Sequence, residues 1–142
     1  MIKRNATAVW SGGLKDGGGK VSTQSGVLDN VSYGFATRFE QQPGTNPEEL
    51  IAAAHAACYT MAVTAELGHA RIQPDKLMTT AVVTLDKAGA GFVISAVHLD
   101  LTATIPGGNW AMFDAAARKA KLDCPVSKLL NASVTLETRL ES

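Results

Sequence analysis

The stretch from Asn46 to Gly68, NPEELIAAAHAACYTMAVTAELG, predicts one long helix that contains the first of the two cysteines. Asn46 is a suitable N-cap, and Pro47 fits the first helical position, where its missing N–H costs nothing. Glu49 lies three residues after Asn46, so its side chain can complete a capping box. Gly68 is predicted to end the helix in the left-handed conformation.

The interior of this helix is rich in alanine and has no wide polar face. A helix that is apolar on all sides is usually buried, so we expect this one to lie in the protein interior. Cys58 lies near its middle, and the simplest interpretation of Cys58 is a buried, unreactive thiol. Glu48 has no capping function, which leaves it as either a surface carboxylate that complements the helix dipole or a functional residue.

Length and composition indicate a single domain, residues 1–142, because 46% apolar and 18% charged residues are ordinary for a soluble protein. Thirteen basic and thirteen acidic residues cancel, which argues against nucleic acid or an anionic membrane as a partner. The N-terminal sequence MIKRNATAVW lacks the apolar run of a signal peptide, and no segment reaches the roughly 20 apolar residues of a membrane span. We therefore expect a cytoplasmic protein.

Patterns of alternating apolar and polar residues, separated by turn residues, predict strands on both sides of the long helix. The glycine-rich segment SGGLKDGGGK predicts a hairpin loop between the first two strands, which are therefore antiparallel. A second helix is predicted over Asn109 to Leu122, so the fold class is α+β. The predicted strands are Ile2 to Ser11, Lys20 to Leu28, Tyr33 to Glu40, Leu77 to Asp86, Phe92 to Ile105, and a closing strand over 134–140.

The second cysteine lies in DCPVSKLL, where Asp123 or Cys124 can cap a short helical turn that has Pro125 at its first position. A thiol at a helix start has its thiolate favoured by the backbone dipoles, so its pKa falls below the usual value of about 8.5. In a reducing compartment, two cysteines are more often catalytic or redox-active than a permanent disulfide. A zinc site is improbable, because no compact histidine pattern accompanies them.

Two motifs, TNPEELIAAAHAAC at 45–58 and CPVSKLL at 124–130, resemble the OsmC/Ohr family of thiol-dependent hydroperoxide reductases. The resemblance extends over essentially the whole chain. It implies an α+β fold with antiparallel sheets around a long buried central helix, in an interlocked homodimer. It also implies reduction of organic hydroperoxides, and of hydrogen peroxide less readily, without any metal or cofactor.

The resemblance implies a role for four residues of this sequence. Cys58 matches the peroxidatic cysteine, and Cys124 matches the resolving cysteine with which it forms a disulfide. Arg38 matches the arginine of the RFE segment that favours the Cys58 thiolate, and Glu48 matches the glutamate that orients the guanidinium. Because burial in mid-helix raises the pKa of a thiol, Cys58 needs such a cation. His55, one turn before Cys58, is a rival activator.

The resemblance favours the OsmC branch of this family. The Ohr branch carries its arginine in an early glycine-rich loop, whereas the corresponding loop, residues 12–17, reads GGLKDG and has no arginine. Dihydrolipoamide or a lipoylated protein is the reductant that the family implies. The alternative is a dimeric redox sensor or small-ligand binding module, in which the thiols react without turnover.

Glu48 and Cys58 are ten positions apart, which on one continuous helix means about 15 Å of rise and roughly 80° of rotation. The two side chains therefore cannot touch within a continuous helix. Either the helix breaks between them, or Arg38 and Glu48 of a partner chain serve Cys58. We predict the second arrangement, because an all-apolar helix also needs a partner to bury it.

Overall fold

The computed structural model describes residues 1–142, which divide into two compact units, Met1–Leu50 and Ile51–Ser142. The first unit holds a three-stranded antiparallel sheet made of β1 (Ala6–Ser11), β2 (Gly18–Thr23) and β3 (Val31–Tyr33), in that spatial order. Ser11 pairs with Gly18 where the first hairpin closes. The predicted antiparallel hairpin and its glycine-rich loop are therefore confirmed.

The predicted strand over Tyr33 to Glu40 is wrong beyond its first residue, because α1 (Phe35–Phe39) follows β3. Thr37 stabilises the start of this helical turn, since its Oγ1 accepts a hydrogen bond from the Gly34 N–H at 2.9 Å and donates one to the Gly34 carbonyl at 3.0 Å. The rings of Phe35 and Phe39 then pack in a tilted arrangement, with their centroids 5.0 Å apart. Aromatic residues four positions apart lie on the same side of a helix and can pack together. The spacing of Phe35 and Phe39 is therefore compatible with a helix, although the alternating pattern of this segment also fits a strand.

Helix α2 (Pro47–His69) confirms the predicted long helix and its cap, since Asn46 Oδ1 accepts the Glu49 N–H at 2.8 Å. The predicted end at Gly68 is wrong. The helix ends in a Schellman motif, in which Ile72 N–H donates to Leu67 O at 2.8 Å and Arg71 N–H donates to Gly68 O at 3.0 Å. Arg71, with φ of 60°, is the left-handed residue.

Burial divides the surface of α2 into two faces, which corrects the expectation that the whole helix is buried. Four residues spaced one turn apart have no exposed surface: His55, Tyr59, Val63 and Leu67. The opposite face is exposed and made of small or apolar residues, with Met61 at 75% exposure. We call this the α2 outer face; it comprises Ala53, Ala54, Ala57, Met61, Thr64 and Ala65.

By length and composition, α2 is apolar enough to cross a membrane, with a mean hydropathy of 1.3 over its most apolar window. This finding differs from the expectation that no such segment exists. The core helix of a soluble protein meets the same criterion, so the finding assigns no membrane location. The fully buried face of α2 lies against the hydrophobic core of the second unit.

The second unit contains the other sheet, in the order β4 (Lys76–Ala88), β5 (Gly91–Thr104) and β6 (Ser133–Glu141). β4 and β5 are antiparallel with an irregularity between Thr84 and Leu85, and β6 lies parallel to β5. The expectation of antiparallel sheets is therefore wrong for this sheet, because the long connection between β5 and β6 brings the chain back in the same direction. The alternation predicted for the second of these strands is confirmed. Its inward residues Val97, Leu99, Leu101 and Ala103 are fully buried.

Two helices connect β5 to β6: α3 (Trp110–Asp123) and α4 (Pro125–Leu129). Asn109 caps α3, since its Oδ1 accepts the Met112 N–H at 3.0 Å. The buried face of α3 consists of Phe113, Ala116, Ala117 and Ala120. These residues are three or four positions apart, which places them on one side of the helix. The predicted second helix and the closing strand are confirmed.

Candidate active site

The two cysteines, 66 positions apart in sequence, meet in the second unit with their Sγ atoms 3.0 Å apart. Both thiols are free. Cys58 projects from the middle of α2 and is partly exposed, whereas Cys124 is fully buried at the start of α4. Pro125 occupies the first position of α4, as predicted. At this separation, a disulfide can form with a small movement of either side chain.

The two thiols have pKa shifts of opposite sign. Burial raises the pKa of Cys58, and the hydrogen bond with Cys124 raises it further. Burial also opposes ionisation of Cys124, but the adjacent Cys58 thiol and the polar groups of Ser127 and Val126 outweigh burial and lower the pKa of Cys124. Of the two thiols, Cys124 therefore has the more favoured thiolate. The environment at the start of α4 favours the thiolate, as expected from the sequence.

A polar pair lies at the start of α4, which Cys124 precedes. Ser127 Oγ lies 2.8 Å from Nε2 of His55, which is fully buried and whose Nδ1 has no hydrogen-bond partner. Burial lowers the pKa of His55, so its imidazole is neutral and supplies no cation to Cys58.

Sequence reasoning did not identify Ser127. A serine in the first turn of a short helix usually serves the backbone, and its partner His55 lies 72 positions away. One local signal was available: Ser127 follows Cys124 by three residues, which brings its side chain near a group at the helix start.

Arg38 and Glu48 form a bidentate ion pair within the first unit. Arg38 Nε donates to Glu48 Oε1 at 2.8 Å, and Arg38 Nη2 donates to Oε2 at 3.2 Å. Glu48 is 9% exposed, and the guanidinium also lies 5.2 Å from the centroid of the Phe39 ring. This pairing leaves Nη1 of Arg38 without a hydrogen bond in the chain, so it is available to an anionic group.

The structure therefore joins the four predicted site residues in two pairs, Cys58 with Cys124 and Arg38 with Glu48. Because α2 runs without a break from Pro47 to His69, Glu48 and Cys58 do not meet directly along it. Across residues 1–142, no group of three or more His, Cys, Asp or Glu side chains is arranged to hold a metal ion.

Comparisons with known proteins bear on the class of this chain. The family model described as OsmC-like protein matches residues 39–139. Peroxiredoxin OsmC of Escherichia coli strain K12 is 50% identical over 141 residues, with 99% of each chain covered. The chain therefore belongs to the OsmC family.

Solved structures agree with this assignment. An organic hydroperoxide resistance protein of Elizabethkingia anophelis is 27% identical, with a TM-score of 0.74 over 100% of this chain and 97% of that one. An OsmC-like protein of Vibrio cholerae, 16% identical, has a TM-score of 0.79 over 98% of this chain and 100% of that one, which shows the fold alone. The predicted OsmC-like α+β fold is confirmed. At 50% identity to a curated peroxiredoxin over the full length, the chain is an antioxidant oxidoreductase of the peroxidase class.

Proposed function

We propose that the protein reduces organic hydroperoxides, and hydrogen peroxide, with Cys58 as the peroxidatic residue and Cys124 as the resolving residue. The Cys58 thiolate attacks the distal peroxide oxygen, the O–O bond breaks and an alcohol or water leaves after protonation. The Cys58 sulfenic acid then condenses with Cys124 to a disulfide and water. The observation that carries the proposal is the 3.0 Å separation of two free thiols.

Exposure supports this division of roles. Cys58 is partly exposed and can meet a peroxide, whereas Cys124 is fully buried and is reached through its neighbour. The raised pKa of Cys58, caused by burial and by the Cys124 hydrogen bond, leaves few thiolates at neutral pH. A cation next to Cys58 removes this difficulty, because it favours the charged form.

We assign this activation to Arg38, oriented by Glu48. The bidentate pair holds the planar guanidinium in one orientation, and the free Nη1 can face a thiolate or a peroxide oxygen. A lysine would keep the charge but not this geometry. Arg38 thus supplies the positive charge that neutral His55 cannot supply.

We also propose that the protein is an interlocked homodimer in which Arg38 and Glu48 serve Cys58 of the partner chain. The unbroken α2 and its exposed apolar outer face support this arrangement, since a second subunit would bury that face. Refolding a mixture of an Arg38→Ala, Glu48→Ala double variant with a Cys58→Ser variant tests it. Mixed dimers should regain one active site each, whereas inactive mixed dimers would show that the pair serves its own chain.

The remaining features of the proposal concern reductant and location. Two thiols that form a disulfide need a dithiol to restore them, and dihydrolipoamide or a lipoylated protein is the class we propose. We propose a single domain, residues 1–142, that acts in the cytoplasm without metal or prosthetic group. With thirteen basic and thirteen acidic residues, electrostatics favour neither nucleic acid nor an anionic membrane as a partner.

Turnover of cumene or tert-butyl hydroperoxide with a dithiol reductant tests the proposed function. A peroxidase consumes many equivalents of peroxide per protein, whereas a redox sensor oxidises once and stops. Hydrogen peroxide and several competing reductants belong in the same assay, because they identify the preferred substrate and electron donor. One equivalent of peroxide consumed, with no further turnover, would favour the sensor.

A further inference from the structure

Two aromatic rings of α1 each lie beneath a cation, and the roles assigned above use neither ring. The guanidinium carbon of Arg38 lies over the Phe39 ring, 5.2 Å from its centroid. Phe39 packs against Phe35, with the centroids 5.0 Å apart and the ring planes inclined by 50°. Lys15 Nζ lies over the Phe35 ring, 5.6 Å from its centroid. Phe39 is therefore the ring of this pair that contacts Arg38.

Helix geometry alone does not produce the contact between Arg38 and Phe39. Adjacent residues of a helix point about 100° apart and do not face each other. The Arg38 side chain therefore curves toward the ring of its neighbour. Glu48 meets the same guanidinium at its edge, where it accepts a hydrogen bond from Nε at 2.8 Å. The cation is thus held by a carboxylate at its edge and by a ring on its face.

The two partners of the guanidinium restrain different motions. Glu48 accepts hydrogen bonds from Arg38 Nε and Nη2 at 2.8 and 3.2 Å, and this fork fixes the guanidinium within its own plane. The fork still permits the plane to tilt. The π face of Phe39 attracts the cation and opposes this tilt. Together the carboxylate and the ring hold the free Nη1 of Arg38 in one direction.

A purely structural role explains the aromatic pair incompletely. Helix α1 is five residues long and contains no buried residue. Phe35 and Phe39 are both half-buried, and neither belongs to the hydrophobic core. Leucine would bury apolar surface at either position, but it has no π face to offer a cation. The position of a cation over each ring is the feature that requires aromatic residues here.

We propose that Phe39 is a positioning residue for Arg38, and that Phe35 supports the Phe39 ring. This inference rests on the proposed function, in which Arg38 favours the Cys58 thiolate. A guanidinium that tilts is less often in the orientation that faces an anion, so loss of the ring weakens activation without removing the charge. A cation–π contact at an exposed site changes the balance between such orientations by about 2- to 5-fold.

Replacement of the ring by an aliphatic side chain tests this role. Phe39→Leu should lower kcat/KM for cumene hydroperoxide by about 2- to 5-fold, whereas Phe39→Tyr keeps the ring and should retain most of the parent activity. In a Cys124→Ser background, the pKa of Cys58 should rise in Phe39→Leu and stay near the parent value in Phe39→Tyr. Phe92→Leu, the same change at a 55% exposed ring of β5, is the matched control and should alter neither quantity.

Two further measurements separate positioning from a structural effect. If Phe39 acts through Arg38, Phe39→Leu should cause no additional loss of activity in an Arg38→Ala background, whereas a general disturbance of the fold would lower activity in both backgrounds. NMR relaxation of the Arg38 Nε–H group needs no peroxide. Its order parameter should fall in Phe39→Leu and be retained in Phe39→Tyr. An unchanged order parameter in Phe39→Leu would show that the ring does not restrain the guanidinium.

The outcomes distinguish this inference from the proposed function. If Phe39→Leu leaves kcat/KM unchanged, or lowers it equally with and without Arg38, the inference is overturned while the peroxidase mechanism stands. If Arg38→Ala itself leaves kcat/KM and the Cys58 titration unchanged, the proposed role of Arg38 fails first. A lower Arg38 order parameter in Phe39→Leu would then still establish that the ring positions the guanidinium.

Discussion

Replacement of Arg38 by alanine is expected to lower peroxidase activity at neutral pH by about 10-fold. An adjacent cation lowers the pKa of an acidic group by about 1 to 3 units, so its removal raises the thiol pKa by that amount. A more basic thiolate is also a better nucleophile: the logarithm of its rate rises by about 0.4 to 0.5 for each pKa unit. The loss of thiolate and the gain in nucleophilicity together give a decrease of roughly 3- to 60-fold. Loss of the free Nη1 donor would add to this decrease.

Stability should change less than activity in this variant. Arg38 makes two hydrogen bonds to Glu48, at 2.8 and 3.2 Å, but its side chain is 38% exposed, so solvent screens the pair. We expect a loss of about 1 to 2 kcal/mol and a melting temperature lower by roughly 3 to 8 °C. Arg38→Lys keeps the charge without the bidentate geometry and should fall between the alanine variant and the parent.

The assay is kcat/KM for cumene hydroperoxide against pH, together with thiolate titration of Cys58 in a Cys124→Ser background. In Arg38→Ala, the pKa of Cys58 should rise and the activity profile should move to higher pH by the same amount. Glu48→Gln is the matched control, since it retains the cation while removing its anionic partner. An unchanged Cys58 titration and an unchanged profile in Arg38→Ala would refute the assignment of Arg38 as activator.

Three further predictions follow from single contacts. Cys58→Ser should abolish turnover, whereas Cys124→Ser should still form one sulfenic acid per chain. If mass spectrometry finds a sulfenic acid in Cys58→Ser and none in Cys124→Ser, Cys124 is the peroxidatic residue and Cys58 the resolving one. Gly68→Ala should stabilise the fold by about 1 kcal/mol in thermal melts, because Gly68 is helical and an added Cβ meets open space. Gly107 also has open space around it, but its φ is 67°, so Gly107→Ala should destabilise the fold. Tyr59→Phe should lower the free energy of unfolding by about 1 kcal/mol in chemical denaturation, because the Tyr59 hydroxyl donates a hydrogen bond to the Ala117 carbonyl at 3.0 Å. An unchanged free energy of unfolding would show that this hydrogen bond does not stabilise the fold.

Local sequence patterns predicted those elements whose residues decide their own structure. The start of α2 follows from Asn46 and Pro47, and β5 follows from strict alternation of buried and polar residues. The strand prediction failed at Phe35–Phe39, which is a helix. Phe35 and Phe39 fit the alternation of a strand, but they are also four positions apart and so pack on one side of a helix. The predicted end of α2 at Gly68 was also wrong. The hydrogen bond from Ile72 N–H to Leu67 O closes the helix further along the chain, so the left-handed residue is Arg71 and not Gly68.

The candidate site was predictable in part. Resemblance to a family led us to predict Arg38, Glu48, Cys58 and Cys124 as site residues, which the structure joins in two pairs. The position of Cys124 before Pro125 led us to predict a lowered pKa for its thiol. Proximity of groups 66 and 72 positions apart is a tertiary property, so local pattern could not place Cys124 beside Cys58 or Ser127 beside His55. The exposed outer face of α2 is equally a consequence of packing, since its sequence is apolar on every side.

The opposite pKa shifts of the two thiols lead to one requirement on the mechanism. Burial and the adjacent Cys124 thiol disfavour the thiolate at Cys58, which is the thiol that a peroxide can reach, whereas the pKa of buried Cys124 is lowered. A guanidinium placed at Cys58 opposes this difference, because a nearby cation favours the charged form of a thiol. The peroxide step at Cys58 therefore needs a cation more than the later attack by Cys124 does, and Arg38 is the residue to which we assign that charge.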